Sequence, residues 1–335
     1  IRQIRHEQPR DNCLSVHVCF LPYVGATGEL KTKPTQHSVR ELRSKGIQPD
    51  AILLRSDHPV PRDISEKVAL FCDVEPRAVI PMETVQTIYE VPLLLEERGL
   101  GDFVIDRLGL SGGRDLEDWR EMVQRLKNPR GVVEVAVVGK YVELHDAYMS
   151  VKESLAHAGI ASEVDVDIRW VHAEDLEVRQ PGDVLAGVGG IVVPGGFGER
   201  GWEGKIAAAR WARENGVPYL GLCLGMQVMV TEFARDVCGL AGANSTEFDP
   251  ESPHPVISLL DEQQGVTKKG GTMRLGAYPC RLVPGSVAAA AYGRDYLNGN
   301  NGRFYDYPRD LVRFEIPNCG SAVVDITFHN ITFNG

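Results

Sequence analysis

"VPYLGLCLGMQVMVTEF", residues 217–233, decides how this chain is to be read. An apolar run leads into Cys223, and a pattern with helical spacing follows it. Gly221 and Gly225 flank the cysteine as Gly-x-Cys-x-Gly. A free cysteine is commonly buried as a small hydrophobe, and that role needs no glycine on either side. A sharp strand-to-helix turn does need them, because backbone passes close to it. The pattern therefore predicts a nucleophile elbow with Cys223 at its tip. Helix N-terminal N–H groups and the helix dipole lower the pKa of a thiol placed there. Cys223 is accordingly expected to be an acidic, nucleophilic thiol.

The stretches around the elbow build a fold class. "VVPGGFGERG", residues 192–201, is a buried-strand pattern followed by a glycine-rich turn. Backbone N–H groups at Gly195 and Gly196 suit an oxyanion hole for a tetrahedral intermediate. Upstream, "VVEVAVVGKY" (132–141), "EVDVDIRWV" (163–171) and "GGIVV" (189–193) read as strands. "HDAYMSVKESLAHAGI" (145–160), with Gly159 as its stop, and "WEGKIAAARWARENGV" (202–217) read as helices. Alternation of this kind predicts an α/β fold with a doubly wound parallel sheet. Ligands bind such sheets at the strand C-terminal ends, where Gly195, Gly196 and Cys223 fall.

Residues 1–112 alternate in the same way. "CLSVHVCFLPYV" (13–24), "PDAILLRSD" (49–57), "KVALFCDV" (67–74) and "AVIPM" (78–82) are the strand candidates. "TQHSVRELRSKGI" (35–47) and "TVQTIYEVPLLLEERGL" (84–100) are the helix candidates. Between them "KTKPTQ", residues 31–36, sets two lysines and two threonines just before a helix. That composition suits phosphate oxygens, although a short basic loop is usually only solvated. Residues 113–131 read as a linker with one amphipathic helix, residues 132–292 as the second α/β domain, and 293–335 as an atypical tail.

The 335 residues are 43% hydrophobic and 24% charged, with a net charge of −10. Sequence-independent nucleic-acid binding needs a basic surface and is excluded as the main task. Seven cysteines, at 13, 19, 72, 223, 238, 280 and 319, form no Cys-x-x-Cys pair. Neither a zinc site nor a disulfide framework is expected, and free thiols fit the cytoplasm. No run of 18 apolar residues suggests a membrane span.

At this point a resemblance becomes specific. "VPGGFGERG", "PYLGLCLGMQ", "NSTEF" (244–248) and "GGTMRLGA" (270–277) resemble the class I glutamine amidotransferase part of the CTP synthase family. "GELKTKPTQHSVRELRSKGIQPDAILLRSD" (28–57) is similar to that family's amidoligase part, of the P-loop type. The resemblance spans about residues 1–292. It implies that Cys223 attacks the glutamine carboxamide, forms a glutamyl thioester and releases ammonia. It implies glutamine-binding roles for Gly195, Gly196, Leu224, Gly225, Met226, Gln227 and Glu247. It assigns UTP, and CTP as inhibitor, to Lys31, Thr32, Lys33, Pro34, Thr35, Gln36 and Lys67, and ATP to Arg55 and Val85. For the intact family enzyme it implies ATP with Mg2+, phosphorylation of uracil O4, amination by ammonia passed from the Cys223 site, GTP as activator, and a homotetramer built as a dimer of dimers.

Two departures limit those expectations. The chain has no Gly-x-x-x-x-Gly-Lys-Ser/Thr run, so the family's P-loop and Mg2+ ligands are expected to lie outside it. The family's general base is a His-Pro-Glu triplet; here His329 is followed by Asn330 and Ile331, with no orienting carboxylate. The chain is therefore expected to be incomplete for the full reaction. The competing reading is a non-catalytic amidotransferase-like remnant that keeps nucleotide or subunit contacts. A stand-alone cysteine hydrolase is a third, disfavoured by the nucleotide block at residues 30–44.

Overall fold

The computed structural model describes residues 1–112, 115–196 and 198–258, together with the backbone of 279–281, 284, 290, 293 and 296–298. The motif at 270–277, the linker residues 113 and 114, Phe197, most of the tail and His329 lie outside the described residues. The chain divides into two units, Ile1–Asn128 and Pro129–Gly335.

In the first unit a short helix α1 (Arg2–Glu7) precedes strand β1 (Val16–Phe20). A tight hairpin follows, β2 (Tyr23–Val24) against β3 (Glu29–Leu30), and it delivers the chain to α2 (Lys33–Ser44). Then come β4 (Ala51–Ser56), α3 (Arg62–Cys72) and β5 (Val79–Glu83). The strands β1, β4 and β5 form a parallel sheet in the order β1-β4-β5. Cys19, Ile52, Leu54 and Val79 on one face of it pack against Val39 of α2 and Val68, Ala69 and Cys72 of α3.

The stretch "KVALFCDV" is thus the end of a helix, not a strand. A strand would turn Val68, Leu70 and Cys72 to one face. Instead Val68 and Cys72, one helical turn apart, are buried, and Leu70 is 78% exposed. The long helix expected over 84–100 is also revised. Helix α4 (Val91–Glu97) starts near Pro92 and stops before Gly99, whose φ of +83° no longer side chain adopts readily. A further helix, α5 (Leu100–Leu108), follows directly. Helix α6 (Glu117–Lys127) belongs with this unit: Trp119 Nε1 donates to Tyr89 O at 2.7 Å, and Lys127 pairs with Glu90 at 2.7 Å.

The second unit runs β6 (Val132–Gly139), α7 (Met149–Ser162), β7 (Asp165–His172), α8 (Asp175–Val178), α9 (Pro181–Leu185), β8 (Gly190–Val193), α10 (Trp202–Asn215), β9 (Tyr219–Gly221) and α11 (Leu224–Asp236). Its sheet is parallel in the order β7-β6-β8-β9. The chain moves outward to β7 and then returns to the other side of β6. This places a topological switch point between β6 and β8, the usual ligand crevice of such sheets. The core gathers Ala136, Val138, Val171, Leu185, Ile191 and Val193 under Ala208 and Ala212 of α10. Gly159 does not end α7. It lies inside the helix because a Cβ there would meet Val164 O at 2.7 Å, and Glu163, at φ +57°, makes the left-handed cap.

Two short pairs complete the described residues: parallel β10 (Ala243–Ser245) with β11 (His254–Ile257), and antiparallel β12 (Pro279–Arg281) with β13 (Tyr296–Asn298). Among the described residues no helix is long and apolar enough to cross a membrane. Cys13, Cys19, Cys72 and Cys223 are free. Cys238 is disulfide-bonded, against expectation; sequence spacing alone does not reveal which thiols meet in space.

Candidate active site

Cys223 joins β9 to α11 at φ +54° and ψ −103°. A residue with a Cβ is strained there, and such strain persists only where the surroundings enforce it. The two flanking glycines show what enforces it. A Cβ on Gly221 would lie 2.4 Å from the Gly225 carbonyl, and one on Gly225 would lie 1.9 Å from Val193 O. The turn is therefore pressed onto strand β8 with no room for any other residue at either position. Leu222 N–H donates to Val193 O at 2.9 Å, and the Tyr219 hydroxyl donates to Gly225 O at 2.9 Å. Both bonds hold the first turn of α11 against the sheet.

The glycine loop after β8 faces the elbow. A Cβ on Gly195 would sit 3.4 Å from Cys223 Cβ, and one on Gly196 would sit 3.3 Å from Lys140 Cε. Neither Gly195 nor Gly196 has a positive φ; Gly198 and Gly201 do. The first two glycines lie alongside Cys223 and Lys140, with a tight fit at Gly196 and ordinary contact at Gly195.

Cys223 is exposed as a residue, yet its thiol is crowded by protein atoms. That crowding pushes its pKa up. The Leu224 N–H, bonded to the sulfur, opposes the rise, and the Glu247 carboxylate adds to it. The expectation of an acidic thiol is therefore corrected: desolvation outweighs the helix N-terminus. The same fact brings Glu247 to the site. It follows β10, its N–H donates to Ser245 Oγ at 3.2 Å, and it acts electrostatically on both Cys223 and Lys140. Gln227, in the first turn of α11, keeps a buried Oε1 without a hydrogen-bond partner among the described residues. Leu224 and Met226 send their side chains into the core. What those two can offer a ligand is backbone.

Sequence reading passed over the charged layer beneath the loop. Lys140, at the end of β6, reaches Gly198 O with Nζ at 3.5 Å, and Arg200 donates to Lys140 O at 3.1 Å. Arg200 also pairs with Glu174 at 3.2 Å. Lys205, in the first turn of α10, is 2% exposed; burial first, and then Lys140, lower its pKa to about 8. A signal existed for it. Lys205 falls on the stripe of Ala208, Ala209 and Ala212, the buried face of α10. A lysine on an apolar stripe is rarely solvated.

The first unit carries its own constellation at the C-terminal edge of its sheet. The β2–β3 hairpin presents Lys31, which pairs with Glu29 at 2.5 Å. The charge of Lys67, on α3, also acts on Glu29. Lys33 and Pro34 are exposed at the start of α2. Thr32 and Thr35 are buried; Thr32 Oγ1 accepts from Gln36 Nε2 at 3.2 Å, whereas Thr35 Oγ1 has no partner among the described residues. Arg55 stands opposite Phe20 on the sheet face away from α2 and α3, and so is not brought to these lysines. Val85 follows β5, two residues beyond its end. Among the described residues there is no group of three or more His, Cys, Asp and Glu that could hold a metal ion.

Comparison with known proteins agrees with both halves. The family model for the CTP synthase N-terminus matches residues 1–110, and that for class-I glutamine amidotransferase matches residues 143–302. Curated CTP synthases from Dehalococcoides mccartyi and Chloroflexus aggregans are 57% and 58% identical over 311 and 326 residues, or 92% and 97% of this chain. One from Roseiflexus sp. is 60% identical over 299 residues, 89% of the chain. The chain spans 57%, 58% and 54% of those three relatives. Among solved structures, the Trypanosoma brucei CTPS glutaminase domain with bound acivicin is 40% identical, with a TM-score of 0.44, covering 50% of this chain and 65% of that one. The chain belongs to the CTP synthase family.

Proposed function

We propose that this chain hydrolyses glutamine at Cys223 and supplies the ammonia for the glutamine-dependent conversion of UTP to CTP. The observation that carries the reading is the strained elbow: Cys223 held at φ +54° and facing Gly195, with both flanking glycines fixed by contact. The Cys223 sulfur attacks the carboxamide carbon, and the carbonyl electrons move onto oxygen, where loop N–H groups stabilise them. Collapse breaks the C–N bond, and ammonia leaves with a proton. Water then cleaves the thioester to glutamate and the free thiol. Glu247 receives the α-ammonium by a charge-assisted hydrogen bond, and the orphan Gln227 Oε1 accepts from the same substrate.

In this reading residues 1–112 and 132–292 act as the amidoligase and glutaminase parts, joined by a linker at 113–131. Lys31, Lys33 and Lys67 take the phosphates of UTP, or of CTP as inhibitor. Arg55 and Val85 serve ATP. GTP activation, tetramer assembly and a cytoplasmic setting belong to the same reading. The test is ammonia release from glutamine by the full chain. Release abolished by Cys223→Ala supports the reading. No release, from a folded chain that forms no adduct with a glutamine analogue, favours the non-catalytic remnant.

A further inference from the structure

The phosphate site proposed for the first unit contains an anion of its own. Glu29 closes the β2–β3 hairpin two residues before Lys31 and pairs with it at 2.5 Å. The charge of Lys67, on α3, also acts on that carboxylate. One of the lysines assigned to the ligand is therefore already paired with a carboxylate, and the charge of the other acts on the same group. We propose that Glu29 is a built-in competitor of the ligand's phosphates, which holds Lys31 in place and must be displaced before a polyphosphate binds. The inference rests on the reading of residues 31–36 and Lys67 as a nucleotide site, and it adds a residue to which neither the sequence motif nor the resemblance gave a role.

The chemistry supports competition in preference to assistance. A carboxylate is an acceptor only, as is a phosphate oxygen, so both seek the same ammonium protons and repel each other. Glu29 stays ionised across the neutral range: the hydrogen bond from Lys31, then its charge, holds the carboxyl below the usual range, and Lys67 adds to this. The pair is exposed, at 39% for Lys31 and 63% for Glu29, so exchange is cheap. Affinity is thereby kept low without loss of the lysine geometry.

The test is titration calorimetry of the full chain with UTP and with inorganic tripolyphosphate, on wild type and Glu29→Gln. Glu41→Gln is the control: it removes the same charge from an exposed pair with Lys45 elsewhere on α2. The expected result is binding of both probes tightened roughly three- to tenfold by Glu29→Gln, and by less than about 1.5-fold by Glu41→Gln. Unchanged or weaker binding of tripolyphosphate in Glu29→Gln overturns the proposal, as does equal tightening in the control. If tripolyphosphate tightens while UTP binding ignores Lys31→Ala with Lys33→Ala, competition stands and the nucleotide reading fails. Absence of binding by either probe at millimolar concentration overturns both.

Discussion

Replacing Lys205 by methionine should stabilise the second unit, by an amount that depends on pH. Methionine matches the lysine stem in length and removes only the ammonium. Lys205 is 2% exposed, and its pKa falls from 10.5 to about 8, chiefly through burial. That shift of about 2.5 units, at ~1.4 kcal/mol per unit, makes the buried charge cost about 3 kcal/mol below pH 8. Glu174 already favours the charged form and is contained in that figure. Between pH 8 and 10.5 the unfolded chain binds the proton that the folded chain has lost, so wild-type stability rises with pH through that window. The methionine variant should therefore lead by about 3 kcal/mol at pH 7, and the lead should shrink toward pH 10.5. Urea unfolding followed by tryptophan fluorescence reads this directly, since Trp170, Trp202 and Trp211 all lie in the second unit. Taking the difference between the two proteins cancels the titration of every other group. A variant less stable than wild type at pH 7, or a difference that is flat from pH 7 to 10, would refute the reasoning.

Two further outcomes concern the elbow. Cys223→Gly should be more stable than Cys223→Ala by about 1 kcal/mol in thermal unfolding, the reverse of the usual order. Only alanine keeps a Cβ at φ +54°, and the relief exceeds the entropic cost of glycine. Glu247→Gln removes an anion that raises the Cys223 thiol pKa, so iodoacetamide should alkylate Cys223 faster at pH 8. The same change should raise KM for glutamine more than it lowers kcat; slower alkylation would remove Glu247 from the site.

The elbow was legible in the sequence because its determinants are local. Gly221, Cys223 and Gly225 lie within five residues, and the chain on each side declares strand and helix. The loop at Gly195 and Gly196 was legible for the same reason, as was the parallel alternation around it. Errors arose where local patterns are degenerate. "KVALFCDV" has strand-forming residues, and only the burial of Val68 and Cys72 against an exposed Leu70 shows a helix. Gly159 looked like a helix stop because an interior glycine answers to a contact with Val164 that no pattern displays. The raised Cys223 pKa is not legible, because a helix N-terminus is visible in sequence whereas desolvation and Glu247 are not. Lys140, Glu174 and the Arg200–Lys205 stretch come from three separate segments, and only the fold brings them together.

The central claim is that Cys223 is built to attack a glutamine carboxamide. A glutamine-derived chloromethyl ketone, followed by peptide mass mapping of the full chain, tests it most directly. One adduct is expected, on Cys223, slowed by free glutamine and formed faster as pH rises toward 9, because the thiol pKa is raised. Labelling of the partly exposed Cys13 at an equal rate, or labelling of Cys223 that glutamine does not slow, would contradict it.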